Sequence, residues 1–499
     1  MTKVLGIIIG SGGTGAKVAE AMIHATAAGL GPDRLVVGLV DQDGGNGNTS
    51  RARLAVEAYA DARRLWRAGS QHVLGNDIDL LRPEIELISD TDSIWVPHPD
   101  GNTTLDSAVG QRDAADDALF NALFEAGPTE QKMAFEVGYR ARPNVGALAM
   151  ALAMEDRNHP FVKAITAAIA QASQGWSVRL IIAGSIFGGT GAAGLPTLAR
   201  LLRAAVPASF AGQFRMAGVL MLPYFSFDPP PEGKGTFADA NQFLASSRAA
   251  VTYYQGLQMR GQLPFDQAFV VGWDPLFAVG GRFAEGGAAQ ANPAMPPELV
   301  AALAACGFCR GGVGDAVVLV PRAARDAIEW TDLPSPEQPD KLLPFHRIGH
   351  LLRFAVAWSH WDDLVGVDAE RRFGFGRHPF FKKQGLNNID WKKSPPESER
   401  AAMTRWTDSV LDWARMLAQT SQVNRINFRL WRAPPATADL SDTDAYASSY
   451  DDLLHRPETI TPLSSASDLD KLLSNEPGPA TAKGLGRLAA QLHFATLTQ

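Results

Sequence analysis

The sequence predicts a doubly wound, mostly parallel α/β sheet over residues 1–310, followed by a smaller α+β C-terminal domain over residues 311–499. Three observations carry this reading. An apolar, β-branched run at 3–9 stops at a glycine-rich stretch, 10–15, and passes into helical spacing at 16–28. The same strand, glycine turn and helix recur at 177–183, 184–194 and 195–205. Around these two copies, short apolar strands alternate with helices, the pattern of a parallel sheet covered on both faces.

The elements follow in order. After 16–28, the second strand is 35–40, ending at Asp41, with a polar Gly/Asn-rich loop at 42–50 and a helix at 51–68. The stretch to about residue 130 reads as polar helices and turns without a clear order, and helices follow at 147–155 and 160–173. Beyond the second glycine turn come a strand at 215–223, a Pro-rich loop at 227–235 and a helix at 237–259. A short strand at 268–272 and a Gly/Ala-rich connection at 280–291 then lead to an apolar helix at 297–309. In the C-terminal part, a strand at 317–321 and a Pro-rich linker at 330–341 precede helices at 346–361 and 404–418. Trp358, Trp361 and Trp391 suggest a packed unit there. Residues 434–481, rich in Ser, Pro and Asp, read as loop, and 484–494 as a short closing helix.

Composition narrows the function. The chain of 499 residues is 46% hydrophobic and 20% charged, as ordinary globular proteins are. A formal net charge of −7 argues against nucleic acid as a partner, because phosphate-backbone binding needs clustered Lys and Arg. No apolar run reaches membrane-spanning length, and Met1 leads directly into a strand pattern without a signal-peptide layout, so a cytoplasmic location is expected. Cys306 and Cys309 form a C-x-x-C, but no second pair completes a zinc site, and an apolar setting makes them small core residues. No metal ligand set is expected.

A glycine turn between a strand and a helix lets backbone N–H groups approach a phosphate, helped by the positive end of the helix dipole. The first turn, Gly10, Ser11, Gly12, Gly13, Thr14 and Gly15, lacks the Gly-Lys-Ser/Thr of a P-loop. Alone it also fits a dinucleotide fingerprint, with Asp41 on an adenosine ribose, or simply a tight turn where helix packs on strand. The second turn contains Gly188, Gly189, Thr190 and Gly191. Thr190 offers a hydroxyl to a phosphate or a metal-bound water, or else caps the helix that begins near Ala192. Arg140 and Arg142 suit bidentate phosphate contact, or a solvated surface.

The run from Phe187 to Ala193, with its central Gly-Gly-Thr-Gly, resembles the signature loop of the tubulin/FtsZ superfamily, and more closely its divergent bacterial tubulin-like members. Phe and Ala stand at the outer glycine positions of that signature. The resemblance spans about residues 1–310, with 10–15 matching the first phosphate loop, 41–48 the loop after the second strand, and 138–146 the loop near the terminal phosphate. It implies a ribose-side role for the loop ending at Asp228 and a base-side role for Trp273-Asp274 and Asn292. The ligand it implies is GTP or GDP, with Mg2+ as a candidate companion. In this family the water-orienting acid comes from a neighbouring subunit. Asp315 holds the corresponding position, and Asp390 lies in a later Asn-x-Asp segment that looks like the motif. The functional expectation is a guanine-nucleotide-binding protein, either a slow GTPase dependent on self-association or a non-hydrolysing module acting through a protein partner. A Rossmann-type NAD-dependent oxidoreductase is the reading from another class.

Overall fold

The strands form where β-branched and apolar residues run without a polar break. In β1 (Val4–Ser11) and β2 (Arg34–Val40), every residue after the first is buried, as strands covered on both faces require. The computed structural model describes residues 3–68, 74, 78–89, 93–136, 138–226, 243–279, 286–311, 318–319, 328–337, 339–366, 396–424 and 482–497. Within these, the central sheet also contains β3 (Glu84–Leu87), β4 (Ile94–Trp95), β5 (Ser177–Ser185) and β6 (Phe214–Met221). A separate two-stranded pair joins β7 (Phe225–Ser226) to β9 (Phe277–Ala278), while β8 (Gln267–Val271) and β10 (Val318–Leu319) complete the main sheet. Its eight strands run in the order β10-β8-β6-β5-β1-β2-β3, with β4 also paired to β2. Every pairing is parallel.

Helices cover both faces. On one lie α1 (Gly12–Ala27), α2 (Gly47–Ala68) and α9 (Pro296–Cys309), whose apolar residues share a core with Ile8, Val37 and Ile181. Three further helices, α10 (Leu343–Gly366), α11 (Pro396–Val423) and α12 (Leu485–Ala495), add residues to the same core. The Trp66 indole meets Trp358 edge-on at 5.6 Å and donates its N–H to the Glu399 carbonyl at 2.8 Å, while Tyr59 meets Trp406 at 5.5 Å. The other face carries α3 (Leu105–Val109), α4 (Ala114–Leu123), α5 (Pro143–Ala153), α6 (Pro160–Ala170), α7 (Thr190–Ala205) and α8 (Phe243–Met259), with most of their buried apolar residues in a second core.

The coarse α/β reading, a mostly parallel sheet wound on both sides, is what the structure has. Differences lie at the boundaries. β1 and β5 run to Ser11 and Ser185, and α7 starts at Thr190 rather than at 195, so the glycine turns are shorter than the sequence suggests. Small residues from Gly191 to Gly194 permit this, because α7 can pack closely on the sheet while still helical. β3 and β4 were not anticipated; they are short edge elements, and β3 is only half-buried. The stretch read as a Pro-rich linker holds Trp330 and Leu333, both buried in the first core. Cys306 and Cys309 are core residues, and burial pushes the Cys306 thiol up to about 12. Among the described residues no helix is long and apolar enough to cross a membrane.

Candidate functional site

β1 and β5 are neighbours, yet the chain leaves them in opposite directions: through α1 to β2, and through α7 to β6. The crevice beyond the carboxyl ends of such a strand pair is where open α/β sheets bind ligands. Both glycine turns sit there. A Cβ on Gly12 would stand 3.1 Å from the Gly191 nitrogen, and one on Gly189 would stand 3.1 Å from the Ala141 nitrogen. The starts of α1, α7 and the turn leading into α5 are thus packed against one another.

The first four N–H groups of a helix have no partner inside it. At four helices away from the crevice side chains supply one, Thr104 for α3, Asp113 for α4, His159 for α6 and Glu298 for α9, whereas α12 begins at the uncapped Gly484. At the crevice Asn46 caps α2 by accepting the Asn48 N–H at 2.9 Å, but α1, α5 and α7 have no such cap. Ser11, a favoured capping residue, makes no capping bond to α1 and instead donates its hydroxyl to the Thr190 carbonyl at 3.0 Å. Gly189 cannot cap α7, and Arg142 does not cap α5. None of the three carries an acid in its first turn. Gly13, Thr14, Gly188 and Gly189 are partly open to solvent although their surroundings are buried. Three positive helix ends therefore face one partly open crevice.

The glycines themselves have structural reasons. Gly12 has φ +70°, and a Cβ on Gly15 would lie 2.3 Å from the Ala183 carbonyl oxygen. Gly13 differs: the nearest neighbours of its Cβ would be the side-chain amides of Asn48 at 3.0 Å and Asn46 at 3.2 Å. Arg140 and Ala141 have φ +43° and +59°, a left-handed conformation that is unfavourable for residues with a Cβ. The Nε atoms of Arg140 and Arg142 are shielded from solvent and have no hydrogen-bond partner among the described residues. An oxyanion would supply acceptors here.

Asp41 directly follows β2, inside the crevice. It is 3% exposed and accepts the Thr190 hydroxyl at 3.1 Å, so Thr190 neither caps α7 nor stands free. Burial, with the Asp43 charge beside it, pushes the Asp41 carboxyl up to about 7. Asp43 is held by the Gly45 and Gly287 backbone N–H groups at 3.1 and 2.6 Å. The turn continues through Asn46 and Asn48, whose amides donate to the Gln290 side chain and carbonyl at 2.7 and 2.9 Å. Asn292 is half-buried, and its carbonyl accepts Arg51 at 2.9 Å. Asp228, Asp315 and Asp390 lie outside the described residues. Among the described residues no group of three or more His, Cys, Asp or Glu is placed to hold a metal ion.

One turn along α1 lies a buried network that sequence reasoning missed. Lys17 pairs with Glu298, which also accepts the Tyr224 hydroxyl at 2.6 Å and the Met295 N–H at 2.8 Å. Glu20 takes a bidentate grip from Arg51 at 2.7 and 2.8 Å. Burial lowers the Lys17 amine and raises the Glu298 carboxyl, each opposed by the partner's charge. The available signal was a charged pair, Lys17 and Glu20, on a helix whose other positions are mostly small or apolar.

Comparison of the chain with protein-family models, curated proteins and solved structures found no match.

Proposed function

We propose that the chain is a tubulin-like protein that binds GTP or GDP across the crevice, phosphates on the starts of α1 and α7. The observation that carries this reading is the convergence of uncapped helix N-termini, held in contact through Gly12 and Gly191, at the point where the sheet reverses direction. The Gly-Gly-Thr-Gly of the second turn and the strand order support the tubulin-like assignment.

The residues present suit a polyphosphate. Backbone donors at Gly13, Thr14, Gly188 and Gly189 would receive phosphate oxygens, and Arg140 and Arg142 offer guanidinium charge beside them. Asp41 would repel an anion if ionised, but its raised pKa allows it to sit there as a neutral acid. Glu298, Lys17 and Tyr224 would hold α1 against α9 beneath the nucleotide. The bound group supplies its own phosphoanhydride; this chain's part is to bind and orient it.

The experiment is to identify the nucleotide that copurifies with the chain and to measure thermal stabilisation by added GTP, GDP and NAD. Guanine nucleotide in the purified protein and a rise in Tm with GTP or GDP are the expected results. Copurified NAD, or stabilisation by NAD alone, would overturn the reading in favour of an oxidoreductase.

A further inference from the structure

At the opposite end of the strands, a cleft of about 450 Å³ opens between the end of α1, the turns entering β2 and β3, and helices α10 and α12. Its volume is that of a site for a small organic molecule. Leu80, Leu351 and Phe354 give it an apolar wall. Four cationic side chains, Lys3, Arg82, Arg310 and Arg347, line it against two carboxylates, Asp33 and Asp79. This is a local excess of positive charge in a chain whose net charge is −7.

Most of those charges are already engaged. Asp33 accepts the Val4 N–H at 2.9 Å, and Arg82 pairs with Asp79 at 2.6 Å. Arg310 pairs with Glu337 and donates to the Gly29 and Gly31 carbonyls at 2.5 and 3.2 Å, offsetting the negative end of α1. Lys3 lies at the rim, over the Trp176 ring at 5.7 Å. Arg347 is left. It is half-buried on α10, with no ion pair or hydrogen bond among the described residues.

A second group lacks a partner. His493, on α12, is 7% exposed, and its Nδ1 makes no hydrogen bond among the described residues. The ring packs on His350 at 4.3 Å, and the His350 Nε2 donates to the His493 carbonyl at 2.8 Å. Burial and the nearby charges of Arg67 and Arg347 push His493 down to about 4, so it is neutral at pH 7. A buried ring nitrogen without a partner is costly, and a ligand hydroxyl or amide would relieve that cost.

We propose that this cleft is a second ligand site, independent of the crevice, for a small organic anion. Arg347 receives its carboxylate or phosphate, the apolar body lies against Leu80, Leu351 and Phe354, and a polar group meets His493. The match is specific in one respect: a planar guanidinium with no partner favours an oxyanion, which it can hold through two parallel hydrogen bonds.

The test is calorimetric titration of the full chain with naphthoate, naphthyl phosphate and uncharged naphthalenemethanol. Saturable, single-site binding of one of the anions is expected, with naphthalenemethanol at least about tenfold weaker. Arg347→Glu should lower the affinity of the better anion by at least about tenfold, and Arg347→Gln, which removes the charge but keeps a polar amide, by a similar factor. Whichever anion binds more tightly identifies the head group. No saturable binding of either anion, equal binding of the uncharged compound, or unchanged affinity in Arg347→Gln would overturn the proposal. Circular dichroism of both variants separates a lost site from a lost fold.

Discussion

The starts of α1 and α9 face one another across the Lys17–Glu298 pair, yet the two helix ends are finished in opposite ways. At α9 the protein completes itself: Glu298 folds back on the Met295 N–H, and Lys17 and Tyr224 saturate the carboxylate. At α1 the residue best suited to cap, Ser11, turns away to Thr190, and the first turn is left to whatever occupies the crevice. A helix end left without a cap at a partly open crevice keeps its N–H groups available to water or to a ligand. The same contrast holds between α6, capped by His159, and α7, which begins at an uncapped glycine.

The largest effect that would test this contrast is on the self-completed side. Glu298→Ala leaves Lys17 buried beside an empty space and unties Tyr224. A loss of about 3–5 kcal/mol is expected in urea unfolding, the usual result of removing one partner of a buried ion pair. A loss below about 1 kcal/mol, the range of exposed pairs, would mean that the network does not hold α9 against α1.

A smaller effect is expected from Asp41, on the open side. Its folded pKa of about 7 lies above the ordinary value of 3.8, so between those values the folded chain holds a proton that the unfolded chain has released. Stability contributed by this group is full at low pH and falls as pH rises through that window. Asp41→Asn should flatten this part of the stability profile. Glu399, also pushed up to about 7 by burial, adds a slope of the same sign, so the difference between the two proteins is the measurement. An identical slope in both would show that Asp41 is ionised throughout.

The smallest stability change, and the sharpest test of the open end, is expected from Gly13→Ala. The nearest atoms to its Cβ would belong to two side-chain amides rather than to backbone, so unfolding should change by less than about 1 kcal/mol. Stabilisation by GTP should nevertheless fall clearly, because the methyl group crowds a solvent-facing N–H. Undiminished stabilisation would remove the first glycine turn from the site. Gly12 and Gly15 are poorer probes, since their substitution strains the backbone or strikes the Ala183 carbonyl.

Much of the sheet was legible in the sequence because its strands are continuous apolar runs and its helices carry regular spacing. β1, β2, β5 and β6 were each recognisable from a few consecutive residues. β3 and β4 were not, because short edge elements such as Glu84–Leu87 bury too little to leave a periodic pattern. The two glycine turns were also visible, but their partners were not. That Thr190 bonds Asp41, or that Glu298 reaches Lys17, depends on contacts across 149 and 281 positions of sequence. The charged residues of α1 could have been flagged as misfits in an apolar helix, though nothing local identifies Arg51 as the partner of Glu20.

The seam between the sheet's helical layer and the C-terminal helices α10 and α11 is rich in tryptophan. Trp66 on α2 stands against Trp358 on α10, Tyr59 against Trp406 on α11, and His24 on α1 against Trp413, 4.9 Å away. Chromophores this close share excitation, and a buried indole emits at shorter wavelength than a wet one. The joint consequently carries its own optical label: any parting of α10 and α11 from α1 and α2 changes the colour and intensity of the protein's intrinsic light, with no dye attached.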